Sequence, residues 1–457
     1  MAEPTRSSAP DDTGPPADPL DRARRAGAEP TIGHMPDLRV FGSHAFFRLW
    51  LAQVVSALGD WLGFVAVAAI AARIGGSSPE AAVGLVLSAR LVPGFFLAPA
   101  AGVLVDRWDR KRVMVLCDVG RGLVLLTLPF VDTIPGLILA SFLLEVLTLL
   151  WSPAKEASVP NLVRPAALAN ANSLSLVAAY GTFPIASALF AFLAKVAEWL
   201  RDYDASDALR VSQETVAIYV DVGTFFVSAL LIATLPLPRN GHGKGKGGID
   251  FRRTFRELAD GWRFIGQNPV VRSVIAGIAT GLVGGGMVVP LGPVMSRDVF
   301  GAGSAGFGLL LTALGTGVAV GIIGLSIVQK HVPHEKLFVI AMVAAGCCII
   351  GGASMSSITP ALAFVGVLGL CAGAVYILGF TILQTNVEDE FRGRIFASLY
   401  TLIRFCLLAA FTTAPFLASL LDRWTERNGA RVTLWVGGGI ILAAAVVARF
   451  SLRTRSS

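Results

Sequence analysis

Gly102-Val103-Leu104-Val105-Asp106-Arg107-Trp108-Asp109-Arg110-Lys111-Arg112 is a short, strongly basic stretch between two long apolar runs, with a glycine at the end of the first run. Basic residues in a short connection beside apolar spans mark a cytoplasmic loop of a membrane protein. That rule accounts for Arg107, Arg110, Lys111 and Arg112. It leaves unexplained an acid at the membrane edge, Asp106, the glycine before it, and the order of the charges.

Outward from this stretch, the chain has 457 residues, of which 54% are hydrophobic and only 15% charged. A soluble chain carries about a quarter charged residues. The net charge of +7 is spread over short loops beside apolar runs, which sets membrane orientation and does not indicate nucleic acid as a partner. The cysteines, Cys117, Cys347, Cys348, Cys371 and Cys406, all fall inside apolar runs. An odd number buried in helices fits packing, not a disulfide framework or a metal cluster. His331 and His334 have a helical metal-ligand spacing, but Pro333 stands between them and no third ligand follows. No metal and no cofactor are expected.

A helix crosses a bilayer in about 20 mostly apolar residues. Six such runs occupy 45–74, 80–105, 113–131, 134–152, 173–194 and 215–236, and six more occupy 269–296, 304–329, 337–356, 359–383, 395–421 and 431–450. The pattern predicts an all-α membrane protein of twelve transmembrane helices, arranged as two six-helix bundles over 44–236 and 269–450. The segment 237–268 between them, with its Gly/Lys run from Gly241 to Gly248, reads as a cytoplasmic central loop without phosphate-loop spacing. Residues 1–43 and 451–457 read as cytoplasmic tails, the first of them disordered and without the apolar core of a signal peptide. With the N-terminus inside, the basic loops and both termini all fall on the cytoplasmic side, as expected for a multi-pass protein of the cell (inner or plasma) membrane.

Ionisable side chains inside apolar helices are expensive and need a partner, a wet cavity or a role. They are Asp60 in helix 1, Arg90 in helix 2, Asp118 and Arg121 in helix 3, Glu145 in helix 4 and Arg404 in helix 11. Asp118 and Arg121 share a helix face and can pair within it near the membrane edge. The central depth of Asp60 and Arg90 allows either a mutual structural pair or a transport role. Glu145, toward the cytoplasmic end of its helix, is a gate candidate. Arg404 can meet an anionic group or an acid from the other half. As carriers of a coupled proton, Asp60 ranks first and Glu145 second. Glycines and prolines of helix 7, from Gly277 to Pro293, permit bending and close helix approach.

The stretch at 102–112 resembles the major facilitator superfamily of secondary transporters, whose loop between helices 2 and 3 carries G-x-L-x-D-R-x-x-R-[KR]. Gly102, Leu104, Asp106, Arg107, Arg110 and Lys111 fill that pattern. The resemblance implies two bundles that expose a central cavity to alternate sides. It also implies a conformational latch in this loop. Asp106 would dock on the N-terminal end of helix 11, near Arg392 and Arg394, when the cavity faces outward; Arg107, Arg110 and Lys111 would meet Glu388, Asp389 and Glu390.

Within the superfamily the chain looks most like a drug-efflux branch that includes macrolide and siderophore exporters. The supporting residues are Phe47-Arg48-Leu49-Trp50, Gln53, Gly59-Asp60-Trp61, Arg90-Leu91-Val92-Pro93 and Arg392-Gly393-Arg394. One departure bears on proton antiport: of the Gly-Pro…Gly-Gly motif of helix 5, only Gly181 and Pro184 stand here. The expectation is proton-coupled export of a small amphiphilic compound by a monomer in the bilayer, driven by the proton gradient. Two alternatives stay open: an importer of a nutrient or metabolite, and a non-transporting sensor or lipid-handling protein. No nucleophile–base pair suggests an enzyme.

Overall fold

A computed structural model of the chain describes residues 41–106, 108–200, 212–237, 262–328, 333–387, 389–422 and 428–453. Most of the 1–43 tail, the greater part of the 237–268 loop, the end of the C-terminal tail, Arg107, Glu388 and His331 lie outside the described residues, as do the side chains of Asp106, Asp389, Glu390, Arg392 and Arg394.

Among the described residues, twelve helices are long and apolar enough to cross a membrane. In chain order they are α1 (His44–Ile74), α2 (Pro79–Asp106), α3 (Arg110–Thr127), α4 (Ile134–Ser158), α5 (Leu168–Leu200), α6 (Thr215–Ala233), α7 (Pro269–Val299), α8 (Gly303–Val328), α9 (His334–Ser354), α10 (Ile358–Asn386), α11 (Asp389–Asp422) and α12 (Gly429–Arg453). Helices suit hydrocarbon because every backbone donor and acceptor is satisfied within the segment. At several of them a side chain accepts from a free first-turn N–H. The Ser43 hydroxyl accepts from the Phe46 N–H at 3.0 Å, Asp109 from Arg112 at 3.0 Å and Asn268 from both Val270 and Val271.

The largest differences from the expected element boundaries have one reason. An apolar run measures the hydrocarbon crossing, whereas a helix continues into water wherever its backbone bonds persist. So α2 runs through Gly102 to Asp106, and the expected 102–112 loop shrinks to three residues, 107–109. Likewise α11 begins at Asp389, which puts Arg392 and Arg394 inside it, and α5 extends over Leu168–Leu200. Helix α5 is interrupted at Gly181, just before Pro184. Helix α7 breaks after Gly286, passes Pro290 and Pro293, and ends in a π turn over Met295–Val299.

Both described ends and the α2–α3, α4–α5, α8–α9 and α10–α11 connections lie on one face, called here the terminal face. The two bundles meet along α2 with α11 and α5 with α8. At the second seam a Cβ on Gly308 would come within 2.9 Å of the Ser187 carbonyl and of the Ala191 N–H nitrogen, so only glycine permits this approach. Toward the end remote from the terminal face the seam has an apolar core, which Val83, Leu87 and Phe190 of the first bundle share with Phe307, Leu311 and Phe411 of the second.

Candidate functional site: a one-sided cavity and a buried charge cluster

Polar contacts seal the bundles on the face away from the termini. The Glu214 carboxylate, 3% exposed, is held by Arg73 at 3.3 Å and by the Ser304 hydroxyl of the other bundle at 2.6 Å. Arg297 of α7 donates to the Ala72 carbonyl of α1 at 2.9 Å. Nearer mid-depth, the Ser88 and Thr412 hydroxyls lie 3.1 Å apart, and Arg404 Nη1 donates to the Gly94 carbonyl at 3.1 Å.

A cavity of about 890 Å³ runs from the α4–α5 connection at the terminal face into the first bundle. Its lining comes from α1, α2, α4 and α5, with Asp60, Arg90, Glu145, Lys155 and Glu156 as charges and Trp61, Phe64, Trp151 and Tyr180 as aromatic surface. Two apolar gaps within the second bundle measure about 40 and 140 Å³, and a polar space of about 190 Å³ lies between the bundles beside Arg73, Glu214, Arg297 and Ser304. Three side chains on one stripe of α1 fix the wall by donating to α5 carbonyls: Trp50 to Leu174, Gln53 to Ser175 and Trp61 to Ala179, each at 2.9 Å. The interruption of α5 at Gly181 lies just beyond the last of these.

Behind this wall lies a charge cluster. Arg121 is fully buried, pairs with Asp118 one turn back, and donates to Asp60 Oδ2 at 2.9 Å and to the Ser56 hydroxyl at 3.3 Å. Asp118 also accepts from the Ser228 hydroxyl of α6 at 2.7 Å. The Arg121 guanidinium lies over the Phe225 ring at 4.4 Å and the Trp151 ring at 5.4 Å, a cation–π arrangement strengthened by its burial. The pairing of Asp118 with Arg121 follows the sequence reading, but the pair is central to the bundle, not a feature of its edge.

The suggested Asp60–Arg90 pair is not formed: Asp60 goes to Arg121, and Arg90 lies over the Phe64 ring at 5.5 Å. Arg90 instead supplies the strongest positive charge acting on Glu145, with Arg404 acting from the other bundle. Glu145 sits mid-way along α4, not toward its end. Lys155 also lies within α4, 8% exposed in the cavity wall.

Of the basic residues after α2, Arg110 donates to the Ala157 carbonyl at 2.8 Å and Lys111 to the Leu235 carbonyl at 2.9 Å. They close the C-terminal ends of α4 and α6, where carbonyls lack helical partners. Gly102 and Asp106 belong to the last turns of α2.

Sequence reasoning missed Asp221. It stands in α6 within Ile218-Tyr219-Val220-Asp221-Val222, is 1% exposed, and meets α1 at Gly59 and Gly63. A lone acid inside the 215–236 run was the available signal. Among the described residues no group of three or more His, Cys, Asp or Glu side chains is arranged to hold a metal.

Known proteins resemble this chain over most of its length. The uncharacterized MFS-type transporter YfiS of Bacillus subtilis is 24% identical over 370 residues, covering 77% of this chain and 81% of that protein. Macrolide efflux protein A of Streptococcus pyogenes is 21% identical over 420 residues, with 88% and 94% covered. The multidrug efflux pump Tap of Mycobacterium tuberculosis is 23% identical over 395 residues, with 85% and 88% covered. Among solved structures, a bacterial homolog of the human lysosomal transporter Spinster, inward-facing and unoccupied, superposes with a TM-score of 0.72 at 14% identity, covering 90% of this chain and 98% of that one. The nucleoside transporter NupG gives 0.67 at 11%, with 90% and 99% covered. The model of the Major Facilitator Superfamily matches residues 49–409. Twelve spans, two bundles and a one-sided cavity are what such a transporter requires, and the chain belongs to the major facilitator superfamily of membrane transporters.

Proposed function

We propose that the chain exports a small amphiphilic compound in exchange for protons, taking it up from the terminal face and releasing it on the other. The single observation behind this reading is the 890 Å³ cavity, which combines both signs of charge with aromatic walls. That volume lies toward the upper end of drug-sized sites, roughly 300–1,000 Å³. The excess of Lys and Arg in the connections of the terminal face supports a cytoplasmic orientation for it, so the cavity would load from inside the cell. The names of the macrolide and multidrug efflux relatives point the same way. Asp60, Arg90, Glu145 and Arg404 would meet substrate or proton. Asp118 and Arg121 hold Asp60 in place. The protein would act as a monomer in the cell membrane.

The test is uptake of radiolabelled erythromycin, and separately of ethidium, by inside-out vesicles with and without an imposed pH gradient. Accumulation that collapses with the gradient is expected. Accumulation only in right-side-out vesicles would replace export by import. No flux of either probe in any orientation would favour a non-transporting role.

A further inference from the structure

Asp221 is a buried carboxylate with no compensating partner for one of its oxygens. Its Oδ1 accepts a hydroxyl bond of 3.2 Å from Thr224, one turn on, and that hydroxyl also donates to Asp221's own carbonyl at 2.7 Å. Among the described residues its Oδ2 has no hydrogen-bond partner, and it is buried. The carboxylate faces α1 at two glycines, and a Cβ on either Gly59 or Gly63 would fall on it. The first bundle is therefore built to receive this side chain, yet leaves an oxygen of it unsatisfied.

The surrounding charges sharpen the point. Asp60 of α1, Arg90 of α2 and Arg121 of α3 act on Asp221, and Asp118 of α3 shares Arg121. Arg121 already serves two acids, Asp60 and Asp118. Helix α5, also packed on α6, carries Tyr180, Lys195 and Glu198 as its titratable groups, all exposed, and α6 itself adds Tyr219. A third ionised acid here would raise the uncompensated negative charge in a dry interior, where charge is least tolerated. A proton on Oδ2 removes that charge and makes the idle oxygen a donor.

We propose that Asp221 is a proton-binding site of the transport cycle, reached from the cavity through Asp60. The proposal rests on the reading of the chain as a proton-coupled exporter. Asp60 lines the cavity with its side chain 29% exposed, follows Gly59 directly, and lies on the same length of α1 that meets Asp221. The step is a protonation only. An O–H bond forms at Oδ2 with a proton drawn from water, and the same bond breaks as the proton leaves to water on the other side. Nothing is oxidised or reduced. Moving the proton changes the charge between α1 and α6, which is the contact that carries the inner wall of the cavity.

Infrared spectroscopy of the purified full chain in nanodiscs, stepped between acidic and alkaline buffer, reads this site without a substrate. The wild type should show a carboxylic C=O band that disappears on the alkaline step. That band should be lost in Asp221→Asn and shifted in Asp221→Glu, which also guards against a variant that fails to fold. In inside-out vesicles Asp221→Asn should lose gradient-driven erythromycin accumulation yet keep exchange of erythromycin across the membrane without a gradient. A titrating band that survives unchanged in both variants overturns the proposal, as does full gradient-driven accumulation by Asp221→Asn. A wild type that moves neither erythromycin nor ethidium removes the transport reading while leaving the infrared assignment of Asp221 to stand or fall by itself.

Discussion

Arg121 on the third helix and Asp60 on the first share a hydrogen bond of 2.9 Å that joins the dry interior of the first bundle to the wall of its cavity. Arg121 is fully buried, while the Asp60 side chain is 29% exposed, so one end of the bond is fixed and the other faces the cavity. Any event that changes the charge of Asp60 is thereby felt by Asp118, Ser56 and α6.

Removing the fixed end should be the most damaging change in this cluster. Arg121→Met leaves Asp118 buried without its cation, and breaking a buried pair in this way costs about 3–5 kcal/mol. Asp60→Asn keeps an acceptor for Arg121 at a partly wet position and should cost much less. Thermal unfolding of the detergent-purified variants, followed by the fraction that stays monodisperse, provides the comparison. Equal melting of Arg121→Met and wild type would remove the cluster from the account of stability.

The contact of Gly63 with Asp221 is steric, and a double-mutant cycle can isolate it. A methyl at residue 63 would meet the Asp221 carboxylate, so Gly63→Ala should destabilise by about 1–3 kcal/mol, the usual range for overpacking. Shortening the opposing side chain by Asp221→Ala should recover most of that loss when the two changes are combined. Simple additivity would place the Gly63 constraint elsewhere, for example against the Leu125 side chain that also approaches it.

The fold was legible because its signals are long and redundant. Twelve apolar runs exceed the bilayer thickness, and the charge order from Asp106 to Lys111 separates this loop from an ordinary basic turn. Partners were less legible, because they depend on helix rotation. Asp118 and Arg121, three apart, could be paired from spacing alone. The partner of Asp60 could not, since Arg90 and Arg121 sit at similar depths and only the azimuth of α3 selects the latter. Asp221 escaped notice in the otherwise most apolar stretch of the first half. Its importance comes from a hydrogen bond it does not make, which no sequence pattern records.

Orientation is open to a labelling experiment. If the terminal face is cytoplasmic, a cysteine replacing Gly245 in the central segment should resist a membrane-impermeant maleimide in intact cells. A cysteine replacing Ser77, exposed in the turn between α1 and α2, should react. The native cysteines all lie within the apolar spans, so background labelling is low. Reaction of the Gly245 site with protection of the Ser77 site would invert the molecule and turn export into import.

Two acids at opposite ends of the first bundle should act in opposite senses on the alternation. Glu214 joins Arg73 to Ser304 across the sealed face, so it favours the state described here, open toward the terminal face. Asp106 ends α2 at the terminal face, and α11 begins on that same face at Asp389. A helix N-terminus presents free N–H groups and partial positive charge, so an acid docking there would favour closure of the terminal face. A charge-assisted hydrogen bond such as those of Glu214 is worth about 1.5–3 kcal/mol, or roughly a ten- to hundredfold change in a two-state equilibrium. The Asp106 contact, at about 1–2 kcal/mol, corresponds to roughly five- to thirtyfold. Glu214→Gln should therefore shift the population toward closure of the terminal face, and Asp106→Asn should shift it the other way. Spin labels at Arg164 and Lys336, on terminal-face segments of the two bundles, report the change as a distance distribution. The labels should approach in Glu214→Gln and stay apart in Asp106→Asn, with the double variant between them. Shifts in the same direction for both single variants would mean that these acids serve folding or insertion instead of the balance between states.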